Sequence, residues 1–203
     1  MTVERTGPVI TLFEAFGAGA EVIGPRLAER LGVPFIGQRL SSQDLAEQEA
    51  RDRQSPFKWF AGGLGEVGPD ARIAALGTTR ADEVRENVRA VLESTARGAV
   101  ILGRSATVIL GDDPRALHVK LDGELDERLA RASASAGVSR EEAARRQVRE
   151  DRMRAELSLL LHNWDPRQCD RYDLVVNTTR LADDVVVDII LAAYALARPG
   201  RAR

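Results

Sequence analysis

Cysteine is almost absent from this sequence. Cys169 is the only one in 203 residues, which excludes a disulfide framework and a cysteine-based zinc site. Lysine is nearly as scarce: Lys58 and Lys120 are the only two among 29 lysine and arginine residues. Positive charge is therefore carried by arginine, which stays protonated and grips phosphate or carboxylate through a planar fork. No apolar run approaches the roughly 18 residues that a membrane-spanning helix needs. A net charge of -2 provides no general basic field to hold a nucleic acid polymer, so any anion site must be local. The opening Met1-Thr2-Val3-Glu4-Arg5 lacks the basic-then-apolar order of a secretory signal, and a cytoplasmic location with no membrane partner is expected.

What is present alternates between two periods. Val9-Ile10-Thr11-Leu12-Phe13 is a short β-branched run of the kind that forms a buried parallel strand. It runs straight into Gly17-Ala18-Gly19 and then into apolar positions at helical spacing, Val22, Ile23, Leu27, Ala28 and Leu31, stopped by Gly32 and Pro34. Pro25 is placed near the start of that helix, where a missing N–H costs little. Val33 to Ile36 suggests a brief second strand, and Ser41 to Asp44 a capping box opening a helix to about Gln54. A helix from Thr79 to about Arg97 puts Val84, Val88, Val91 and Leu92 on one face, suited to a core or to an interface such as a homodimer's. Further strands are expected at Ala99–Leu102, Leu117–Leu121 and Tyr172–Asn177. Helices are expected from about Glu124 to Ala136, from Ser139 with its Glu142 capping partner to about His162, and from Asp183 to Ala197. Strands alternating with helices define an α/β fold around a parallel sheet.

The Gly17-Ala18-Gly19 turn lies between strand and helix, where backbone N–H groups and the helix dipole hold phosphates. The same small residues also serve a plain tight turn. A dinucleotide-binding fingerprint would need glycine at Val22 and an acidic residue after the second strand, and has neither. A standard phosphate loop would end in Gly-Lys-Ser or Gly-Lys-Thr, whereas Ala20, Glu21 and Val22 stand here, so a bound triphosphate would have to be neutralised by arginines. Arg104 directly follows a strand, at the sheet's ligand edge, either to meet an anion or to pack its stem on the rim. Arg145, Arg149 and Arg152 form a stripe at i, i+4 and i+7, with Arg154 a little around the helix. They either face phosphates or form a solvated face with Glu141, Glu142, Glu150 and Asp151. His118 reads as a core or edge histidine, His162 as a helix-end cation, and Asn177-Thr178-Thr179 as either a base contact or a cap. No metal-ligand cluster and no nucleophile–histidine arrangement stands out, and Phe57-Lys58-Trp59-Phe60 is an aromatic segment within a glycine-rich loop that could act as an adhesive patch.

Taken together, Ile10-Thr11-Leu12, Phe16-Gly17-Ala18-Gly19-Ala20-Glu21-Val22-Ile23-Gly24 and Leu27 to Phe35 resemble the opening strand, Phe-Gly-Ser-Gly-Gly loop and first helix of the cytidylate kinase-like family. Val100 to Ala106, His118-Val119, Asp151-Arg152-Met153-Arg154-Ala155-Glu156 with Trp164, and Tyr172 to Leu181 with Asp188-Ile189-Ile190 are similar to its later strands and lid. The resemblance implies a P-loop kinase fold, three-layered αβα, acting as an ATP- and Mg2+-dependent phosphotransferase on a nucleoside monophosphate or related small acceptor. It places donor phosphates on the backbone of Gly17, Ala18, Gly19, Ala20, Glu21 and Val22. The acceptor phosphate falls to Arg104, and the transferring group to lid arginines 145, 149, 152 and 154, with Asp151 pairing one of them. One domain is expected: a core at about 9–35, 98–137 and 172–197, an acceptor region at 36–97 and a lid at 138–171. The family's Ser-Arg-Glu ahead of the loop is Phe13-Glu14-Ala15 here, and its Gly-Arg-Glu is Ala20-Glu21-Val22. Glu14 and Glu21 would repel a triphosphate unless a metal ion intervened. A catalytically degenerate relative that binds a nucleotide or a protein is the alternative expectation.

Overall fold

The computed structural model describes residues 5–38 and 84–197. In chain order the elements are β1 (Val9–Glu14), α1 (Ala20–Leu31), β2 (Phe35–Ile36), α2 (84–94), β3 (Ala99–Leu102), α3 (Ala106–Ile109), β4 (Ala116–Asp122), α4 (Leu125–Ala136), α5 (Arg140–His162), β5 (Leu174–Asn177) and α6 (Asp183–Ala197). The expected capping-box helix from Ser41, the start of the Thr79 helix and the Phe57–Phe60 segment lie outside the described residues. By contacts the chain divides into two compact units, Met1–Gln38 with Ala90–Arg203, and Arg39–Arg89. The sheet and the loop at its edge belong to the first.

Among the described residues five strands form one parallel sheet, in the order β2-β3-β1-β4-β5. β1 is central, with Thr11 opposite Ile101 on one side and His118 on the other. A central parallel strand must be apolar on both faces, and β1 divides its side chains between two cores. Ile10 and Leu12 join Val100, Leu102, Val119 and Leu121 beneath α1 and α6, against Ile23, Leu27, Val186 and Ile190. Val9 points the other way, toward Ile101, Val91, Ala106 and Leu110. On that second face Thr11 Oγ1 meets His118 Nδ1 at 2.8 Å and Thr107 Oγ1 at 3.2 Å, so His118 is a satisfied core histidine.

The helix ends follow their sequence signals. Gly32 and Gly137 close α1 and α4 in left-handed conformations, and Ser139 Oγ accepts the Glu142 N–H at the start of α5. Pro25 differs from expectation: it lies inside α1 rather than in its first turn, leaving the Glu21 carbonyl without its regular helical donor. Gly24 lets α1 lie against β2, since a Cβ there would come within 2.3 Å of the Phe35 ring. The short α3 is an element the sequence pattern does not announce. It follows three successive residues with positive φ, Gly103, Arg104 and Ser105, an expensive path for the two that carry side chains.

Arg115 fastens the edge of the fold opposite the glycine loop. Its guanidinium donates to the carbonyls of Thr6, Thr95 and Ala96 and forks onto Asp113, which Arg5 also approaches at 3.3 Å. Burial alone would raise the Asp113 carboxyl, but the hydrogen bonds and charge of Arg115, with help from Arg5, outweigh it and hold it below the usual carboxylate range. A lowered carboxyl stabilises the fold above its unfolded pKa, and that contribution is lost as pH falls through the folded value. Asp113→Asn is therefore expected to lower the melting temperature at pH 7 by several degrees and to flatten the acid limb of stability below about pH 4, both read from thermal melts across pH. An unchanged acid limb would contradict this assignment.

Candidate phosphate-loop site

The candidate site forms where β1 ends and α1 begins. The chain leaves β1 with the Ala15 N–H still donating to Leu121 O, then tightens so that the Ala18 N–H returns to Ala15 O. Gly17 at φ 80° and Gly19 at φ 91° make this path possible. At Gly17 a side chain is excluded twice, by φ and by the Arg128 carbonyl 2.4 Å from where a Cβ would stand. At Gly19 the Arg131 guanidinium fills the equivalent space. Ala18 and Ala20 are buried, while Glu21 and Val22 are exposed on the first turn of α1.

The loop amides hold anions, and the anions belong to the chain. Glu14 Oε1 accepts the N–H of Gly19 at 2.8 Å and of Ala20 at 3.1 Å. Asp151 Oδ1, from α5, accepts the Phe16 N–H at 3.1 Å. Burial lifts the Glu14 carboxyl above its ordinary value, and Glu21 adds to that, against the opposing pull of Arg154 and of the two amides.

The loop carbonyls are held from α4. Arg128 donates to Phe16 O at 2.8 Å and to Gly123 O at 3.0 Å, and Arg131 to Ala18 O at 3.0 Å and Thr178 O at 2.9 Å. Neither arginine was singled out from the sequence. The available signal is their i, i+3 spacing just after Asp122-Gly123, at the edge where the loop lies. Asn177 and Thr179 hydrogen-bond each other, and Thr179 Oγ1 also accepts the Glu124 N–H, so this segment closes a turn.

Of the arginines expected around the phosphates, the structure brings one to the loop. Arg154 donates to Glu14 O at 3.1 Å, Gln38 Oε1 at 3.3 Å and Glu150 Oε2 at 2.7 Å, and lies 3.5 Å from Asp151 Oδ1. Asp151 is steadied in turn by Gln147 at 2.8 Å. Arg145 pairs with Glu142 and Arg152 with Glu156, both at exposed positions, and Arg149 is exposed. Helical phase explains the division. At about 100° per residue Arg149 and Arg152 stay within about 40° of Arg145, whereas Arg154, nine residues on, is turned about 180°. It is on the opposite side of α5 and not a little around it. Arg104 lies at the carboxyl end of β3 with its Nε donating to Gly37 O at 3.1 Å.

A parallel sheet in the order 2-3-1-4-5, with a glycine loop from the central strand to the first helix, defines the P-loop kinase class of α/β fold. The cytidylate kinase-like family profile matches residues 9–180, and the chain belongs to that family. Membership of this family supports a kinase-like function on a nucleotide or another small molecule. The chain is 27% identical over 185 residues to a cytidylate kinase of Methanopyrus kandleri, covering 91% of this chain and 92% of that one. It is also 34% identical over 132 residues to a uronate isomerase of Corynebacterium glutamicum, which takes in 64% of this chain but only 26% of that protein's length. Shikimate kinase from Acinetobacter baumannii superposes with a TM-score of 0.50 at 18% identity, covering 97% of each chain, and so shares the fold. Among the described residues no helix is long and apolar enough to cross a membrane.

The loop geometry makes Gly17 the most demanding position of the site. Gly17→Ala is expected to cost on the order of 1–3 kcal/mol, seen as a melting temperature several degrees lower, through both φ strain and the clash with the Arg128 carbonyl. Thermal melts beside Ala18→Gly, which adds no atom to the loop, give the comparison.

Proposed function

We propose that the chain transfers the γ-phosphoryl group of ATP to a nucleoside monophosphate or a related small phosphate-bearing acceptor. The observation that supports this most directly is that three amides of one glycine loop, those of Phe16, Gly19 and Ala20, each hold a carboxylate oxygen. A backbone that holds carboxylates in this way has the polarity a phosphate needs. In this reading Arg104, at the carboxyl end of β3, meets the acceptor's phosphate. Arg154 supplies positive charge over the loop, and Asp151 sets its direction. Positioning and neutralisation are most of what phosphoryl transfer asks of a protein.

The fit to ATP and magnesium is incomplete in the described conformation. The Gly19 and Ala20 amides are engaged by Glu14, and among the described residues no cluster of acidic, histidine or cysteine side chains forms a metal centre. Arg145, Arg149 and Arg152 face away from Arg154, so they contribute to transfer only if α5 turns or shifts. The acceptor region at 36–97 and lid at 138–171 remain part of the proposal.

The test is calorimetric titration with ATP and magnesium, followed by ADP release against a panel of nucleoside monophosphates. Turnover on one acceptor is expected, and Arg104→Ala should raise the KM for that acceptor at least tenfold while changing kcat less. Binding without turnover on any acceptor would replace transfer with nucleotide binding alone, and unchanged acceptor kinetics in Arg104→Ala would remove that residue from the site.

A further inference from the structure

We propose that the Glu14 carboxylate is an internal ligand of the phosphate loop, so that a polyphosphate anion binds there only by exchange with it. The inference rests on the phosphate-loop part of the functional reading and is independent of whether any phosphoryl group is transferred.

Two amides at the start of α1 converge on one oxygen, Glu14 Oε1, at 2.8 and 3.1 Å. The left-handed Gly19 places them there. Such amides, at the positive end of a helix and preceded by a glycine turn, are the donors a phosphate oxygen takes in loops of this kind. A carboxylate oxygen is also an acceptor carrying negative charge, with the same preferred distance to N–H. The two anions therefore compete for the same atoms. Glu14 has a large advantage because it is five residues from Gly19 on the same chain, and an intramolecular ligand acts at an effective concentration of about millimolar or above.

The surroundings fit an occupied anion site. The Phe16 amide of the same loop holds Asp151, a second internal carboxylate. Arg154 donates to the Glu14 carbonyl and faces its charge, as a cation beside a bound anion would. Burial, by contrast, works against the charged carboxylate and leaves it less firmly held than its two hydrogen bonds alone imply. Exchange is thus a matter of degree.

The probe is inorganic tripolyphosphate, titrated calorimetrically into wild type, Glu14→Ala, Glu14→Gln and Glu21→Gln. Glu21→Gln removes one charge beside the loop without freeing an amide. Glu14→Ala is expected to bind tripolyphosphate at least tenfold more tightly than wild type, and at least threefold more tightly than Glu21→Gln. Melting curves check that each variant folds. Should Glu14→Ala fail to fold, Glu14→Gln, which keeps an acceptor, must still exceed Glu21→Gln. In wild type without ligand, the Gly19 and Ala20 amide protons should resonate downfield and move upfield in both Glu14 variants. Equal affinities in wild type and Glu14→Ala, a gain no greater than that of Glu21→Gln, absence of binding throughout, or unmoved amide resonances would each overturn the proposal. Tighter tripolyphosphate binding by Glu14→Ala, alongside a wild-type protein that releases no ADP with any acceptor, would uphold the proposal and remove the kinase reading instead.

Discussion

The buried carboxylate of Glu14, at the end of the central strand, is the charge around which the mouth of the sheet is arranged. Bringing a carboxylate out of water is costly unless hydrogen bonds and opposite charge replace its hydration. Here the replacements are two loop amides, the N-terminal end of α1 and Arg154. Each ties Glu14 to a different part of the molecule. The amides fix the path from β1 into α1, and Arg154 fixes α5, through Glu150 and Asp151, to that same strand end.

The scarcity of lysine gains a structural meaning from this arrangement. Arg128, Arg131 and Arg154 each bridge two or more oxygens on separate segments, a task for a planar fork that a single ammonium performs poorly. They stabilise the loop by holding its carbonyls, while carboxylates hold its amides. Lys120 has another role, directing its ammonium to Asp122 at 3.1 Å and to the Arg167 carbonyl at 2.9 Å, toward the segment that carries Trp164 and Tyr172. Tyr172 in turn packs on Phe13 and Trp164. Among the described residues, Arg128, Arg131 and Arg154 are therefore architectural around the site, with the exposed Arg145, Arg149 and Arg152 as the contrast.

Most of the fold was legible in the sequence because its signals are local. Val9 to Phe13 and Ala99 to Leu102 are apolar on both faces, as parallel strands must be, and the glycines at 32 and 137 and the Ser139 cap mark helix ends through chemistry that operates within one turn. The short helix at Ala106–Ile109 escaped, because it is set by the left-handed run of Gly103, Arg104 and Ser105, which no side-chain pattern reports. The site was less legible for a related reason. A stripe at i, i+4 and i+7 identifies one face of α5 but not which face meets the loop, and tertiary packing chose the opposite one, with Arg154 and Asp151. The hydrogen bonds by which Arg128 and Arg131 hold the loop go to backbone carbonyls, and a carbonyl leaves no trace in sequence.

An acidic residue directly before a phosphate loop looks from the sequence like a simple repulsion. The structure gives it a different physical character. Amides that converge without an acceptor are themselves unfavourable when shielded from water, so a loop of this shape is most stable with an anion in it. Glu14 supplies that anion from within the chain, so the Gly19 and Ala20 amides are satisfied without a ligand. The cost falls on binding: an incoming anion gains only the difference between its own contacts with the Gly19 and Ala20 amides and those of the carboxylate it displaces. A dianionic or trianionic phosphate, with more charge and more acceptor oxygens than one carboxylate, is the class of ligand for which that difference remains favourable.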